Sequence, residues 1–156
     1  MTEQIRILRV ISRMNIGGPA WQTSVLTKSL QGEDFSTKLL CGDVKSDEGD
    51  YMELYEPEIN FTKINSLGRS VNFIGDVKAF LEIRKEVISF RPHIVHTHTT
   101  KAGVLGRLAA YSSKVPIVVH TFHGHLLQGY FSIIITNIVR KLESWLAKSS
   151  TALVAV

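Results

Sequence analysis

"HIVHTHTTKAGVLGRLAAYSSKVPIVVHT", residues 93–121, holds two short apolar runs, "HIVHTH" and "PIVVHT", on either side of "KAGVLGRLAAYSS". The runs have strand length, and the stretch between them reads as a helix with small residues on a close-packed face. Strand, helix, strand with no room for a hairpin is a parallel crossover unit. The same alternation continues in both directions. Upstream, "IRILRVI" reads as a buried strand and "NIGG" as a turn, and Pro19 opens a helix that runs to about Leu30. "STKLLC" and "NFTKIN" give two further strands, separated by the acidic loop "GDVKSDEGD". Asn72 caps a helix whose apolar positions Phe73, Val77, Phe80, Leu81, Val87 and Ile88 follow three-and-four spacing, with Pro92 marking its end. Downstream, Ile134, Ile138, Leu142, Trp145 and Leu146 mark a last helix, and "TALVAV" begins another strand. Near-continuous apolar strands alternating with helices predict an α/β fold, a Rossmann-like open parallel sheet with helices on both faces.

The totals agree with one domain. The chain has 156 residues, is 44% hydrophobic and 21% charged, and carries a net charge of +4, which excludes disordered and fibrous classes. The charge is unevenly spread. Seven acidic side chains fall between Asp43 and Glu58, whereas Arg91 to Val156 holds seven Lys or Arg and only Glu143. That bias suits a phosphate-bearing ligand or an anionic membrane surface. No basic run is interleaved with stacking aromatics, so nucleic acid is not an expected partner. Cys41, the single cysteine, sits in an apolar stretch and reads as a buried thiol of a reducing compartment. The N-terminus lacks signal-peptide order, and no apolar stretch reaches the ~18 residues of a spanning helix. A cytoplasmic location is the expectation.

In an open parallel sheet, ligands bind beyond the carboxyl ends of the strands. "NIGG", "HTHTTK" and "HTFHGH" all fall there, so one sheet edge collects the unusual residues. Gly17 and Gly18 strip side chains from a helix N-terminus and let its N–H groups approach an anion. Neither the dinucleotide fingerprint nor a P-loop is present. Strand alternation puts His96 and His98 on one side, and Lys101 opens the next helix. His120 belongs to a strand and reads as structural. His123 and His125 flank Gly124 in a loop where they can meet a ligand. A metal held by His96 and His98 with His123 or His125 would lack a carboxylate or thiol, since Glu143 is the only acid after Glu86. No metal is expected.

The motifs "RVISRMNIGGPAWQTSVLTKSL", "PHIVHTHTTKAGVLGRLAA" and "VHTFHGHLLQGYFS", in that order, resemble the N-terminal domain of family 4 glycosyltransferases, two-domain GT-B enzymes. Bacterial members that build capsular or exopolysaccharide are the nearest in character. The resemblance implies a retaining hexosyltransferase that uses a nucleotide-sugar donor as substrate, a saccharide or lipid-linked acceptor, and no cofactor. Gly17 and Gly18 match the loop that approaches the donor diphosphate, and His123 the histidine near the transferred sugar. His98, Lys101 and His125 would line the acceptor side. The resemblance also implies a C-terminal donor-binding domain that this chain lacks, so that residues 1–156 form the acceptor-side domain alone and are expected to be inactive alone.

Two other readings stay open on the residues themselves. One is a stand-alone sugar- or nucleotide-binding module without catalysis. The other is a Rossmann-type oxidoreductase or sugar-nucleotide modifying enzyme, supported by Asp43 near the end of the second strand. The segment 126–141, with Tyr130, Phe131, an excess of isoleucine, Arg140 and Lys141, has the composition of a membrane-surface element. It suggests peripheral contact with the inner face of the plasma membrane.

Overall fold

The computed structural model describes residues 3–45, 47–68, 72–124 and 133–156, with backbone only for 133–135. Six strands form one sheet: β1 (Ile5–Arg13), β2 (Phe35–Gly42), β3 (Phe61–Lys63), β4 (Ile94–His98), β5 (Ile117–Phe122) and β6 (Ala152–Ala155). Their order is β3-β2-β1-β4-β5-β6, every pair is parallel, and the order reverses between β1 and β4. The predicted Rossmann-like open sheet is therefore the observed fold. The connecting helices are α1 (Gly18–Leu30), α2 (Tyr51–Tyr55), α3 (Phe73–Phe90), α4 (Thr100–Ser112) and α5 (Ile133–Lys148).

Each face of the sheet has its own core, because successive strand residues point to opposite sides. Leu8, Val10, Leu40, Val95 and Val118 pack with Ala79, Ile83 and Val87 of α3 and with the alanines of α4. Ile11, Leu39 and Cys41 pack on the other side with Ala20 of α1 and Met52 of α2. Burial raises the Cys41 thiol to about 12, so it is an inert packed group at neutral pH. The small-residue face of α4 lets that helix sit close to the sheet. A Cβ at Gly103 would stand 2.4 Å from Cε1 of His120, and one at Gly106 would stand 2.6 Å from Cγ2 of Thr97.

Two helices differ from their sequence reading. On α3 the buried residues are Ala79, Ile83 and Val87, with Phe80 and Phe90 partly buried, whereas Phe73, Val77, Leu81 and Ile88 are exposed. The face of Ala79, Ile83 and Val87 meets the core, which leaves the larger apolar stripe outward, and Asp76 and Glu86 of this helix pair with Lys101 and Lys38. On α5, Leu146 is buried, but Ile138 is exposed and Trp145 half-exposed against Tyr111 of α4, with ring centroids 6.0 Å apart. The helix is held to α4 by a polar tie, Arg107 with Glu143 at 2.6 Å. The side chain of Ile134 lies outside the described residues.

The acidic loop is less exposed than its composition predicts. Ile16 N–H donates to Gly49 O at 3.0 Å and Tyr51 N–H to Met14 O at 2.8 Å, while Glu48 pairs with Arg13. Asp50 caps the short helix α2, which the sequence reading lacks, by accepting from the N–H groups of Met52 and Glu53. These bonds fasten the "NIGG" turn to the loop between β2 and α2. Among the described residues no helix is long and apolar enough to cross a membrane.

Candidate functional site at the carboxyl edge of the sheet

The β1–α1 turn, the β4–α4 junction and the end of β5 meet at the edge where the strand order reverses. Gly17 caps α1 in an extended conformation that any residue adopts, and no side chain caps this helix. A Cβ at Gly17 would make only ordinary contacts, 3.8 Å to Pro19 Cδ being the nearest, and one at Gly18 would meet nothing within 4 Å. Protein packing therefore does not require glycine here. The pair leaves bare, exposed backbone at a positive helix end, which is an anion-binding arrangement.

At the start of α4 the geometry is tighter. Thr99 has φ 63° and ψ 161°, a conformation rarely adopted by β-branched residues. Ser12, at the end of β1, holds it there. Ser12 N–H donates to Thr99 Oγ1 at 3.3 Å, the two hydroxyls share a hydrogen bond at 2.8 Å, and Ala102 N–H donates to Ser12 Oγ at 3.1 Å. Ser12 thus caps α4 from a neighbouring strand, offsetting a strain of about 1–3 kcal/mol. Lys101, in the first turn of α4, is engaged by Asp76 of α3.

The histidines divide by sheet face. His120 is fully buried on the α4 side, where Nδ1 bonds Thr97 Oγ1 at 2.8 Å and the ring meets Phe122 edge-on. It is structural, as its place in the strand predicts. On the other face His96, partly buried, bonds Thr121 Oγ1 at 2.8 Å, and its ring centroid lies 4.2 Å from that of His98. His98 has no exposed surface, and its Nδ1 lies 3.0 Å from Nε2 of His123. His123 is half-buried, and Gly124 after it takes φ 87°, where a side chain would be strained. His98 therefore stands behind His123, not on the open edge, and reaches a ligand only through it. His125 lies outside the described residues, as do 126–132.

Burial keeps all these rings neutral at pH 7. It lowers His96 to about 4, with help from the charge of Arg9, His98 to about 2, with help from His96 and His123, and His120 to about 3, with help from Arg107. It also holds His123 below the ordinary value. One tautomer follows from the hydrogen bonds. Among the described residues His98 Nε2 has no partner, and a buried lone pair costs less than a buried orphan N–H. We therefore assign the proton to His98 Nδ1, donating to His123 Nε2, which leaves His123 with its proton on Nδ1. The pair presents a neutral donor at the site. Among the described residues, no group of three or more His, Cys, Asp or Glu is placed to hold a metal ion.

The sequence reading passed over Arg9 and the Ser12–Thr99 pair. Arg9 is buried within β1, and among the described residues its Nε and Nη1 have no hydrogen-bond partner. Burial lowers it to about 10, so it stays charged. Its signal was visible: a cation inside the apolar run "RILRVI" must have a reason to be there.

Sequence comparison finds glycosyltransferases among the relatives of this chain. The chain is 30% identical over 127 residues to the Escherichia coli UDP-Gal:α-D-GlcNAc-diphosphoundecaprenol α-1,3-galactosyltransferase, a match covering 81% of this chain and 32% of that enzyme. It is 28% identical over 85 residues to the capsular polysaccharide biosynthesis glycosyltransferase CapM of Staphylococcus aureus, covering 54% and 22% of the two chains. The chain thus spans a third or less of the curated relatives it matches. Among solved structures, sucrose-phosphate synthase of Thermosynechococcus elongatus superposes with a TM-score of 0.69 at 12% identity, over 95% of this chain and 41% of that one, a likeness of fold alone. The glycosyltransferase family 4 model matches residues 16–156, a span that takes in the bare glycine turn, the Thr99 junction and both linked histidines, and the chain belongs to that family.

Proposed function

We propose that the chain is the acceptor-side domain of a retaining GT-B hexosyltransferase, one that moves a sugar from a nucleotide-sugar donor to a lipid-linked or saccharide acceptor in surface polysaccharide synthesis. The observation that carries this reading is the 3.0 Å hydrogen bond between the buried His98 and His123, on the same sheet edge as the bare Gly17–Gly18 turn. The donor diphosphate would meet the first-turn N–H groups of α1, where no described residue crowds Gly17 or Gly18. The Nδ1–H of His123 would bind a hydroxyl of the transferred sugar and hold it as charge develops at the anomeric carbon. His98 is then a positioning residue that fixes the tautomer and angle of His123. Lys101, His125 and the N–H groups of α4 would serve the acceptor.

The lengths of the relatives support a second, donor-binding domain, which would hold the nucleoside. Transfer needs both substrates in one closed cleft, so residues 1–156 alone should be inactive. The residues present need no metal or organic cofactor for these roles. A location at the inner membrane face, with contact through 126–141, fits a lipid-linked acceptor. Arg140 and Lys141 in that segment line an open groove with Trp145 and Lys148.

The test is a transfer assay with the chain at its natural length, offered a panel of nucleotide sugars and a diphosphate-linked acceptor analogue. Product with retained anomeric configuration is expected. Saturable sugar-nucleotide binding with no product under any donor would favour a binding module instead. Robust transfer by residues 1–156 alone would defeat the two-domain reading.

A further inference from the structure

Arg9 stands midway along β1, one of the two strands between which the sheet order reverses, with 1% of its surface exposed. In the register it lies between Leu39 of β2 and His96 of β4, on the face that α1 covers. β1, β2, β4, β5 and α1 carry no acidic residue. All 14 Asp and Glu of the chain fall among the described residues, and none of them forms an ion pair with Arg9. Burial lowers the guanidinium to about 10 and leaves it charged at pH 7. A buried charge without a counter-ion is a net cost to the fold.

The same strand leads to an edge that is short of positive charge. Gly17 and Gly18 offer bare N–H groups there, but the Asn15–Asp50 bridge and the Ile16–Gly49 bond fasten their turn to the acidic loop. The cations at the edge are already engaged, Arg13 by Glu48 and Lys101 by Asp76. From Arg9 to Arg13, the end of β1, the strand rises about 13 Å. Across packed protein, a unit charge at that distance changes the affinity of a singly charged anion roughly ten-fold. Salt screens a buried charge much less than a surface one.

We propose that Arg9 is a positioning residue for anions: from inside the sheet, without touching the ligand, its charge holds a diphosphate against the Gly17–Gly18 turn. The low-dielectric walls of the core focus that field on the edge. The inference rests on the proposed role of the turn in meeting the donor diphosphate, and it supplies the charge that the turn itself lacks.

The experiment is calorimetric titration of the chain, at its natural length, with inorganic pyrophosphate and with inorganic phosphate. Gly18→Asp puts a negative charge into the open space at the helix end and should abolish binding, which marks the anion measured as the one at the turn. Arg9→Met should weaken pyrophosphate roughly ten-fold or more and phosphate less, because the effect grows with ligand charge. That loss should persist as salt is raised. The same variant should melt no lower than the natural sequence, since an unbranched apolar side chain replaces an unpaired buried charge. Arg9→Gln, also neutral, serves if the methionine variant does not fold. A pyrophosphate affinity within about two-fold of the natural one would overturn the inference. So would a lower melting temperature with both anions weakened alike, which is the mark of a packing role. If Gly18→Asp abolishes binding while Arg9→Met leaves it unchanged, the turn keeps its proposed role and the inference alone is lost. If the natural sequence binds neither anion, the diphosphate role of the turn falls and takes the inference with it.

Discussion

Replacing His123 with alanine removes a proposed donor to the sugar and also takes from His98 the acceptor of its Nδ1–H. The first loss should lower turnover by roughly ten- to a thousand-fold, the range for single stabilising donors. The second should cost about 1 kcal/mol, as for a buried donor left without its partner. His120→Ala should do the opposite. Its ring fills the space above Gly103 and bonds Thr97, so its loss should lower stability by about 2–4 kcal/mol and affect turnover only through unfolding. Melting curves and steady-state transfer on both variants check this, and a His123→Ala enzyme with full turnover would refute the role. At this scale the sequence reading placed His120 inside a strand and His123 beyond its end, as the structure has them, because strand membership and a following glycine are local signals. It could not show that His98 is the support of His123, because that bond joins residues 25 apart in sequence.

The helices differ in how firmly their neighbours hold them. α5 is joined to α4 by a polar tie: the Arg107 side chain is nearly buried, its Nε donates to Gly103 O at 2.8 Å, and its Nη2 donates to Glu143. Glu143→Ala would leave a guanidinium in a dry pocket. The expected cost is about 3–5 kcal/mol, read as a lower denaturation midpoint, and Glu143→Gln should cost less because it keeps an acceptor. A loss under about 0.5 kcal/mol, the level of an ordinary surface change, would show that the tie is not needed. Strand and helix positions were legible, since apolar run length and capping residues mark them. The rotation of α3 was not. Apolar period reports that a stripe exists, but the side that meets the core is the smaller one of Ala79, Ile83 and Val87, a choice set by the surface it packs on and not by the helix's own pattern.

For the molecule as a whole, three neutral histidines, His98 and His120 buried and His96 partly so, set a pH limit. Each has a folded value below the ordinary 6.5, so the unfolded chain binds the extra protons and stability rises with pH. This stabilisation is complete above about 6.5. It should fall by about 1.4 kcal/mol per pH unit for each histidine as pH drops below that, and His96 should cease to contribute below about 4. Denaturant titrations at pH 7 and pH 5 test this, and equal stabilities would contradict it. The parallel sheet was legible from the alternation of runs. The strand order was not, because no local pattern says that β1 lies beside β4. That adjacency has a kinetic consequence. Ser12 and Thr99 are 87 residues apart, whereas β4 and β5 pair over little more than one helix. Closing the long loop costs more chain entropy than either half requires, so β1–β2–β3 and β4–β5–β6 should form first and dock last. Pulse-labelled hydrogen exchange should find the amides joining β1 to β4 protected after those within each half. The junction that strains Thr99 and gathers the histidines is then the last part of the sheet to assemble, and a folding defect anywhere in the chain should be felt there first.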